Sequence, residues 1–479
     1  MTALDQLAGM HVLFLNWRDP SHPQAGGAET YCFEIARRWA EVGVQVTLFT
    51  SRYPGAASHD SWEGVSIRRN GGTFGVYSAA ARHLRGSRRE YDAVVDFQNG
   101  IPFFSPLFAP RWTARVCVIH HVHQDQFDLR FDWPLNMVGR VLEKQASRLV
   151  YRGCPIVAVS PSTREEVRRR LGFNNPIYLV PNGAPPPPEV RLPRSATPTI
   201  AVVNRLVPHK RIDLLLQAVP ALLRRWPDLH IDIAGDGSEL EGLQKLAAKL
   251  GLGLVVDFHG HVDEDRKREL LTRAWLTVVP SRAEGWGLAV IEANSMGTPA
   301  LAFEVPGLRD AIQDGRNGWL LPPSTDLAEG IHHALDELSV AGVPERMAHQ
   351  CLAWAAGFSW DDSAVRLAEV VLAESRRVQQ HRKPRRKISD LSVVAQFEAE
   401  DGDALERVMK ASLQPTDAWI RRENAFRLLL HGCDEVLALK KLRRLGVEVE
   451  EASVTLAKSR DLLHGIEKNL TWPPPTQPV

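Results

Sequence analysis

The sequence predicts an α/β protein of two doubly wound, Rossmann-like units in tandem, followed by a mainly helical extension. Three observations predict it. Across the first 180 residues short apolar segments alternate with longer helical ones, the pattern of parallel strands joined by crossover helices. A proline-rich break at 181–198, with four consecutive prolines from Pro185 to Pro188, can continue neither helix nor sheet. After it the same alternation restarts, in a chain of 479 residues that is too long for one core of about 250 to 300 residues.

In the first unit, 1–180, "HVLFLNW" reads as a buried strand, "GGAETYCFEIARRWAEVG" as a helix ending at Gly43, and "VQVTLFTSRY" as the next strand. "DAVVDFQNG", "ARVCVIHH" and "CPIVAVS" continue the strands, and "PSTREEVRRRLG" is a capped helix. In the second unit, 199–358, the alternation runs from "TIAVVNRLVPHKR" through "LHIDIAGDGSELEGLQKLAAKLG", "LVVDFHGHV" and "LTVVPSRAEGWGLAVIEANSMG" to "GWLLPP". Residues 359–378 form an amphipathic helix, with Ser359 as N-cap, expected to close the second unit. A basic linker at 379–388 follows; seven of the twelve residues from Arg376 to Lys387 are Lys or Arg. Residues 389–479 show helical spacing and end in the proline-rich "TWPPPTQPV".

Composition narrows the function. Hydrophobic residues at 44% and charged residues at 24% are the balance of an ordinary globular protein. Lys plus Arg, 58, nearly equals Asp plus Glu, 57, so no global field points to nucleic acid as a partner. Five scattered cysteines with no C-x-x-C pair suggest neither a disulfide framework nor a cysteine zinc site, and fit a reducing cytoplasm. The N-terminus lacks a basic leader pattern, and nowhere do about 18 apolar residues follow one another. Membrane contact is therefore expected to be peripheral at most, at the inner face of the plasma membrane.

Open α/β sheets bind ligands beyond the carboxyl ends of their strands, so chemistry is sought there. In "NRLVPHKR", Arg205 and Lys210 lie between a strand and a helix N-terminus, which suits a diphosphate; a solvated basic turn explains them equally well. "AGDG", with Gly235, reads first as a tight turn. It matters because "FHGHV", with Gly260, His261 and Val262, and "EGWG" end other strands. Gly285 and Gly287 flank Trp286 and let backbone approach a ligand. Glu284 and Glu292, eight positions apart, span about 12 Å if helical throughout, the reach from one sugar to another across a diphosphate. Carboxylates accept hydrogen bonds from sugar hydroxyls. The plainer account makes Glu284 a helix-terminus acid and Glu292 a solvated helix residue.

In the first unit, Gly26 and Gly27 punctuate the loop from strand to helix, either to admit a phosphate or sugar or simply to turn. His120, His121 and His123 end a strand near Asp125 and Asp128. Their spacing matches no metal-ligand pattern, so a histidine that lines a site or handles a proton is the better functional reading.

As an ordered set, "GGAE", the strand ending in His120, "VSPST", "VPNG", "RLVPHKR", "AGDG", "HGHV" and "PSRAEGWGLAVIEA" resemble the retaining, nucleotide-sugar-dependent glycosyltransferases of family 4 over residues 10–378. The resemblance implies the GT-B architecture, two Rossmann-like domains facing across a cleft and closing over a nucleoside-diphosphate sugar. It implies that Arg205 and Lys210 bind the donor diphosphate, Glu292 the ribose, and Glu284 with the backbone of Gly285 to Gly287 the donor sugar. Gly260, His261 and Val262 would lie by the base, Gly26 and Gly27 would face the donor, and His120 would line the reaction centre. Neither a metal nor another cofactor is implied. Sugar would pass to a sugar or lipid-linked acceptor in glycan, glycolipid or cell-surface polysaccharide synthesis. Departures are Asn204, where the family usually has Gly, and His121, where many members have Asp.

Two other readings share the architecture: a nucleotide-sugar epimerase or phosphorylase, and a non-catalytic glycosyltransferase-like subunit with the tail as its protein-binding module. The basic residues at Arg382 to Lys387 and Arg82 to Arg89 offer contact with anionic lipid, although a solvated linker accounts for the former.

Overall fold

A computed structural model describes residues 2–458 apart from 88–89, 131, 189–191, 381–390, 414–416, 432, 434 and 449–451. The basic linker from 381 onward and the proline-rich terminus therefore lie outside the described residues, while 379 and 380 end a helix. The chain divides into two compact units, 1–181 with 360–479, and 182–359.

The first unit is built on an eight-stranded sheet: β1 (His11–Leu15), β2 (Gln45–Thr50), β3 (His59–Trp62), β4 (Val65–Arg69), β5 (Ala93–Gln98), β6 (Ala114–Ile119), β7 (Ile156–Ala158) and β8 (Ile177–Leu179). The order is β3-β4-β2-β1-β5-β6-β7-β8, and only β3 runs antiparallel to its neighbour. β1, β5 and β6 are almost entirely buried, which explains their unbroken apolar runs: crossover helices cover both faces of a parallel sheet. Strand order reverses at β1, which pairs with β2 on one side and β5 on the other.

The second unit repeats the plan with six parallel strands: β9 (Thr199–Val203), β10 (His230–Ala234), β11 (Val256–Gly260), β12 (Leu276–Val279), β13 (Ala300–Phe303) and β14 (Gly318–Leu321). Their order, β11-β10-β9-β12-β13-β14, reverses at β9. The crevice outside the carboxyl ends of β9 and β12 is thus the topological switch point, where open sheets of this kind take ligands.

The helix expected to close the second unit, Trp360–Gln380, packs on the first instead. Its stripe of Ala364, Leu367, Ala368 and Val371 is fully buried, the Trp39 indole donates to Ala364 O at 3.0 Å, and Ser363 Oγ donates to Pro181 O at 2.6 Å. An amphipathic pattern states that one face is covered, but not by which partner.

The C-terminal extension carries the two helices its spacing suggested, Gly402–Ser412 and Glu435–Arg444. It is not mainly helical, however. They accompany four antiparallel strands, β15 (Leu391–Glu398), β16 (Ala418–Arg422), β17 (Ala425–His431) and β18 (Ser453–Lys458), in the order β16-β17-β15-β18. This is a βαββαβ arrangement, the split βαβ motif. Val393, Ala395, Phe397, Leu428 and Leu430 alternate onto a common core with Leu405, Met409, Ala438 and Leu442. Strands of five to eight residues are too short for their period of two to stand out from helical spacing.

Candidate active site

Eleven of the fourteen singled-out residues fall on the second unit, ten of them at the carboxyl ends of its strands. After β9, Arg205 is half-buried and the chain makes a short 3-10 turn at Pro208–Lys210 before the helix Ile212–Leu222. Leu206 N donates to Asp236 O at 2.8 Å, and Glu239 N donates to Leu206 O at 2.9 Å, which ties this turn to "AGDG". A Cβ at Gly235, where φ is +138°, would stand 1.8 Å from Asn204 O, so glycine is required by the approach of the two turns. Gly235 N in turn donates to Gly260 O at 2.7 Å. The three turns form one continuous backbone rim, with Val262 half-buried and His261 exposed.

After β12, Arg282 N donates to His209 O at 2.8 Å, drawing the "SRAEGWG" turn onto the Lys210 turn. Lys210 Nζ pairs with Glu284 Oε1 at 2.5 Å, with side chains only 12% and 14% exposed, and Ser281 Oγ donates to the same oxygen at 2.8 Å. Burial alone would raise the Glu284 pKa; the charge and hydrogen bond of Lys210, with Ser281, outweigh it and hold the carboxyl below its usual value. The side chains that the resemblance assigned to the diphosphate and to the sugar of a donor thus face each other.

The turn itself is structural in character. Gly287, at φ +94°, caps the helix Leu288–Ser295, and Trp286 is buried edge-on against Phe358, ring centres 4.9 Å apart. Gly307 was not singled out from sequence, yet a Cβ there would meet Glu284 O at 2.5 Å and crowd Gly285. Glu292 projects from the helix, largely buried, and its Oε1 accepts from Lys267 Nζ at 2.9 Å, while Lys267 also reaches Glu264 at 2.8 Å. Burial would depress the Lys267 pKa, but the two carboxylates raise it overall. Ser281, Lys267 and Gly307 are the residues that sequence reasoning missed.

The first unit holds Gly26, Gly27 and His120. Gly26 has an extended backbone that any residue adopts, and its N–H donates to Glu29 Oε2 at 2.8 Å, so "GGAE" is a capping arrangement with a buried glutamate. The preceding loop is pinned by Asp19, which takes Arg69 Nε at 2.8 Å with both side chains buried. His120 ends β6 with its ring edge-on to Tyr31 at 4.8 Å and stacked with Phe97 at 6.1 Å. Burial, aided by His123, pushes its pKa down to about 3, and its Nε2 meets no hydrogen-bond partner among the described residues. A neutral imidazole with an unsatisfied buried nitrogen is costly unless a ligand completes it.

His121 and His123 lie ring to ring at 5.2 Å, and Glu143 accepts from His123 N. Among the described residues, three or more ligand-type atoms converge within 4.8 Å only at His230, Asp232 and Asp257, toward the amino ends of β10 and β11 and away from their carboxyl ends. No helix among the described residues is long and apolar enough to cross a membrane.

A family model described as "Glycosyltransferase Family 4" matches residues 25–187, and one described as "Glycosyl transferases group 1" matches 188–348. The chain is 32% identical over 401 residues to a D-inositol 3-phosphate glycosyltransferase of Streptomyces scabiei, covering 74% of this chain and 88% of that one. Sucrose-phosphate synthase from Thermosynechococcus elongatus is similar in structure, with a TM-score of 0.63 at 18% identity over 76% of this chain and 98% of that one. Anabaena HepE in complex with UDP and glucose matches with a TM-score of 0.58 at 17% identity, over 76% of this chain and all of that one. The last two similarities show the fold.

Proposed function

Since the chain belongs to the GT-B glycosyltransferases of family 4 type, we propose that it moves a sugar from a nucleoside-diphosphate sugar to an acceptor with retention of anomeric configuration, at the switch point of its second unit. The observation that carries this reading is the buried Lys210–Glu284–Ser281 cluster outside β9 and β12.

Breaking the bond from C1 of the sugar to phosphate builds positive character on the ring and negative charge on the departing diphosphate. Lys210 and Arg205 stabilise that charge in a partly enclosed site, where such electrostatics count most, without a metal ion. Donor binding draws Lys210 toward phosphate, and Glu284 turns its accepting oxygens to sugar hydroxyls. The Gly285–Gly287 backbone borders the same sugar. Glu292 takes ribose hydroxyls, with Lys267 holding its carboxylate in place, and the Gly260–Val262 turn lies by the base. The acceptor hydroxyl attacks from the side that the diphosphate leaves, and the departing phosphate oxygen takes its proton. This needs no carboxylate nucleophile. His120, neutral, offers Nε2 to a hydroxyl on the first unit.

Release of nucleoside diphosphate with and without acceptor tests the reaction, after a melting-temperature screen of UDP, GDP and ADP sugars finds the donor. Lys210→Ala with undiminished turnover defeats the assignment.

A further inference from the structure

In a protein whose charges nearly cancel, residues 64–89 hold six arginines and no Asp or Glu, and residues 99–123 hold two more arginines and again no acid. The fold brings these two acid-free stretches together. The helix Gly72–Gly86 and the segment at 103–108 border a shallow groove of about 480 Å³, lined by Tyr77, Phe103, Phe104 and Phe108 with Arg82 and Arg85 at its rim. Arg69 is taken by Asp19 and Arg68 approaches Glu90. Arg82 and Arg85 are exposed and meet no carboxylate among the described residues; Arg85 lies 4.9 Å above the Phe108 ring. Flanking the groove, Phe74 is 70% and Leu107 62% exposed. On the helix, Phe74, Ser78 and Arg82 follow one another at intervals of four, so apolar and basic groups share one stripe. Tyr77 also lines an adjoining pocket with Trp17, Asn99, Phe127 and His123, so the groove leads toward the strand end that carries His120.

We propose that this face docks on an anionic lipid surface, with one lipid chain lying in the aromatic groove and lipid phosphates meeting Arg82 and Arg85. The chemistry on both sides matches. A lipid anchors a protein peripherally when apolar side chains and cations act together, since neither alone holds it firmly. Arg82 and Arg85, with exposed Phe74 on the same helix and exposed Leu107 on the 103–108 segment beside the groove, supply both contributions. The inference deepens the proposed function by naming the acceptor as lipid-borne, and it rests on that reading. It also places lipid contact on the folded first unit and not on the basic linker around Arg382 to Lys387.

The test is co-sedimentation of the full-length protein with vesicles of phosphatidylcholine alone and with added phosphatidylglycerol. Binding is expected only to the latter and falls as salt rises. Arg82→Gln with Arg85→Gln lowers the partition coefficient about 30-fold, as expected for two cations at an anionic surface. Phe74→Ser with Leu107→Ser lowers it as well, at unchanged charge. Equal binding to both vesicles, wild-type binding by both double variants, or loss of binding only when Lys383, Arg385 and Arg386 are changed to Gln overturns the proposal. So does full competition by millimolar inorganic phosphate, which marks an isolated anion site. The donor-induced melting shift, read in parallel on every variant, reports the second unit; it stays when lipid docking fails and vanishes when the donor site itself has been misread.

Discussion

Replacing Lys210 by Ala leaves the Glu284 carboxylate largely buried with Ser281 as its remaining partner. At 2.5 Å the pair attracts by about 6 to 7 kcal/mol at an effective dielectric of about 20, much of it offset by desolvation of both ions. Removing one partner exposes that desolvation cost, so the variant loses roughly 3 kcal/mol at neutral pH. The pH dependence carries the sharper signature. In the wild type the Glu284 pKa is depressed, so its contribution is present above the unfolded value near 4.5 and is lost as pH falls through the folded value. Without Lys210 the leading cause is burial, which raises the pKa, and the sign inverts. Lys210→Ala recovers stability relative to wild type as pH drops from 7 toward 5. Glu284→Gln added to Lys210→Ala removes the stranded charge and costs less than the sum of the two single changes. Urea unfolding of the four proteins at pH 7 and pH 5 reads all of this. Additive costs, or a pH slope for Lys210→Ala parallel to wild type, refute the reasoning.

Turnover by Lys210→Ala falls about 100- to 1000-fold, the scale for losing one group that stabilises developing charge, as read by nucleoside diphosphate release. On the proposed ribose contact, Glu292→Gln raises the donor KM about tenfold with a smaller effect on kcat, the signature of a contact held equally in the ground and transition states; steady-state kinetics separate the two. Gly235→Ala lowers the melting temperature by more than 5 °C and resists purification, since Asn204 O occupies the space a Cβ needs. His120 has a folded pKa of about 3, so the unfolded chain binds more protons between that value and about 6.5. Stability therefore rises with pH across this window, and His120→Phe flattens that rise in melting curves. Truncation after Gln380 keeps a cooperative melt, whereas truncation after Ser359 abolishes it by uncovering Trp39.

How far the sequence reached is clearest residue by residue. Strand ends and glycine turns were legible because short unbroken apolar runs and Gly-rich breaks are local signals. Arg205, Lys210, Glu284 and Glu292 could be picked out by charge at those ends. What could not be read is that Lys210 and Glu284, 74 positions apart, are partners, or that Lys267 steadies Glu292. Asp19 and Arg69 are hidden for the same reason, since nothing local marks a pair separated by 50 residues. Gly235 was noticed as a turn, but the cause is a carbonyl from another turn.

By itself the sequence determined the alternation of strands and helices, the restart after the prolines and the types of side chain at each strand end. These follow from backbone sterics and from the burial of periodic apolar faces, which act over a few residues. Tertiary structure alone decided which unit the helix Trp360–Gln380 covers, that the C-terminal extension folds around a four-stranded sheet, and which cation faces which carboxylate. Those outcomes depend on complementary surfaces and on charges losing water together, and neither exists until distant segments meet.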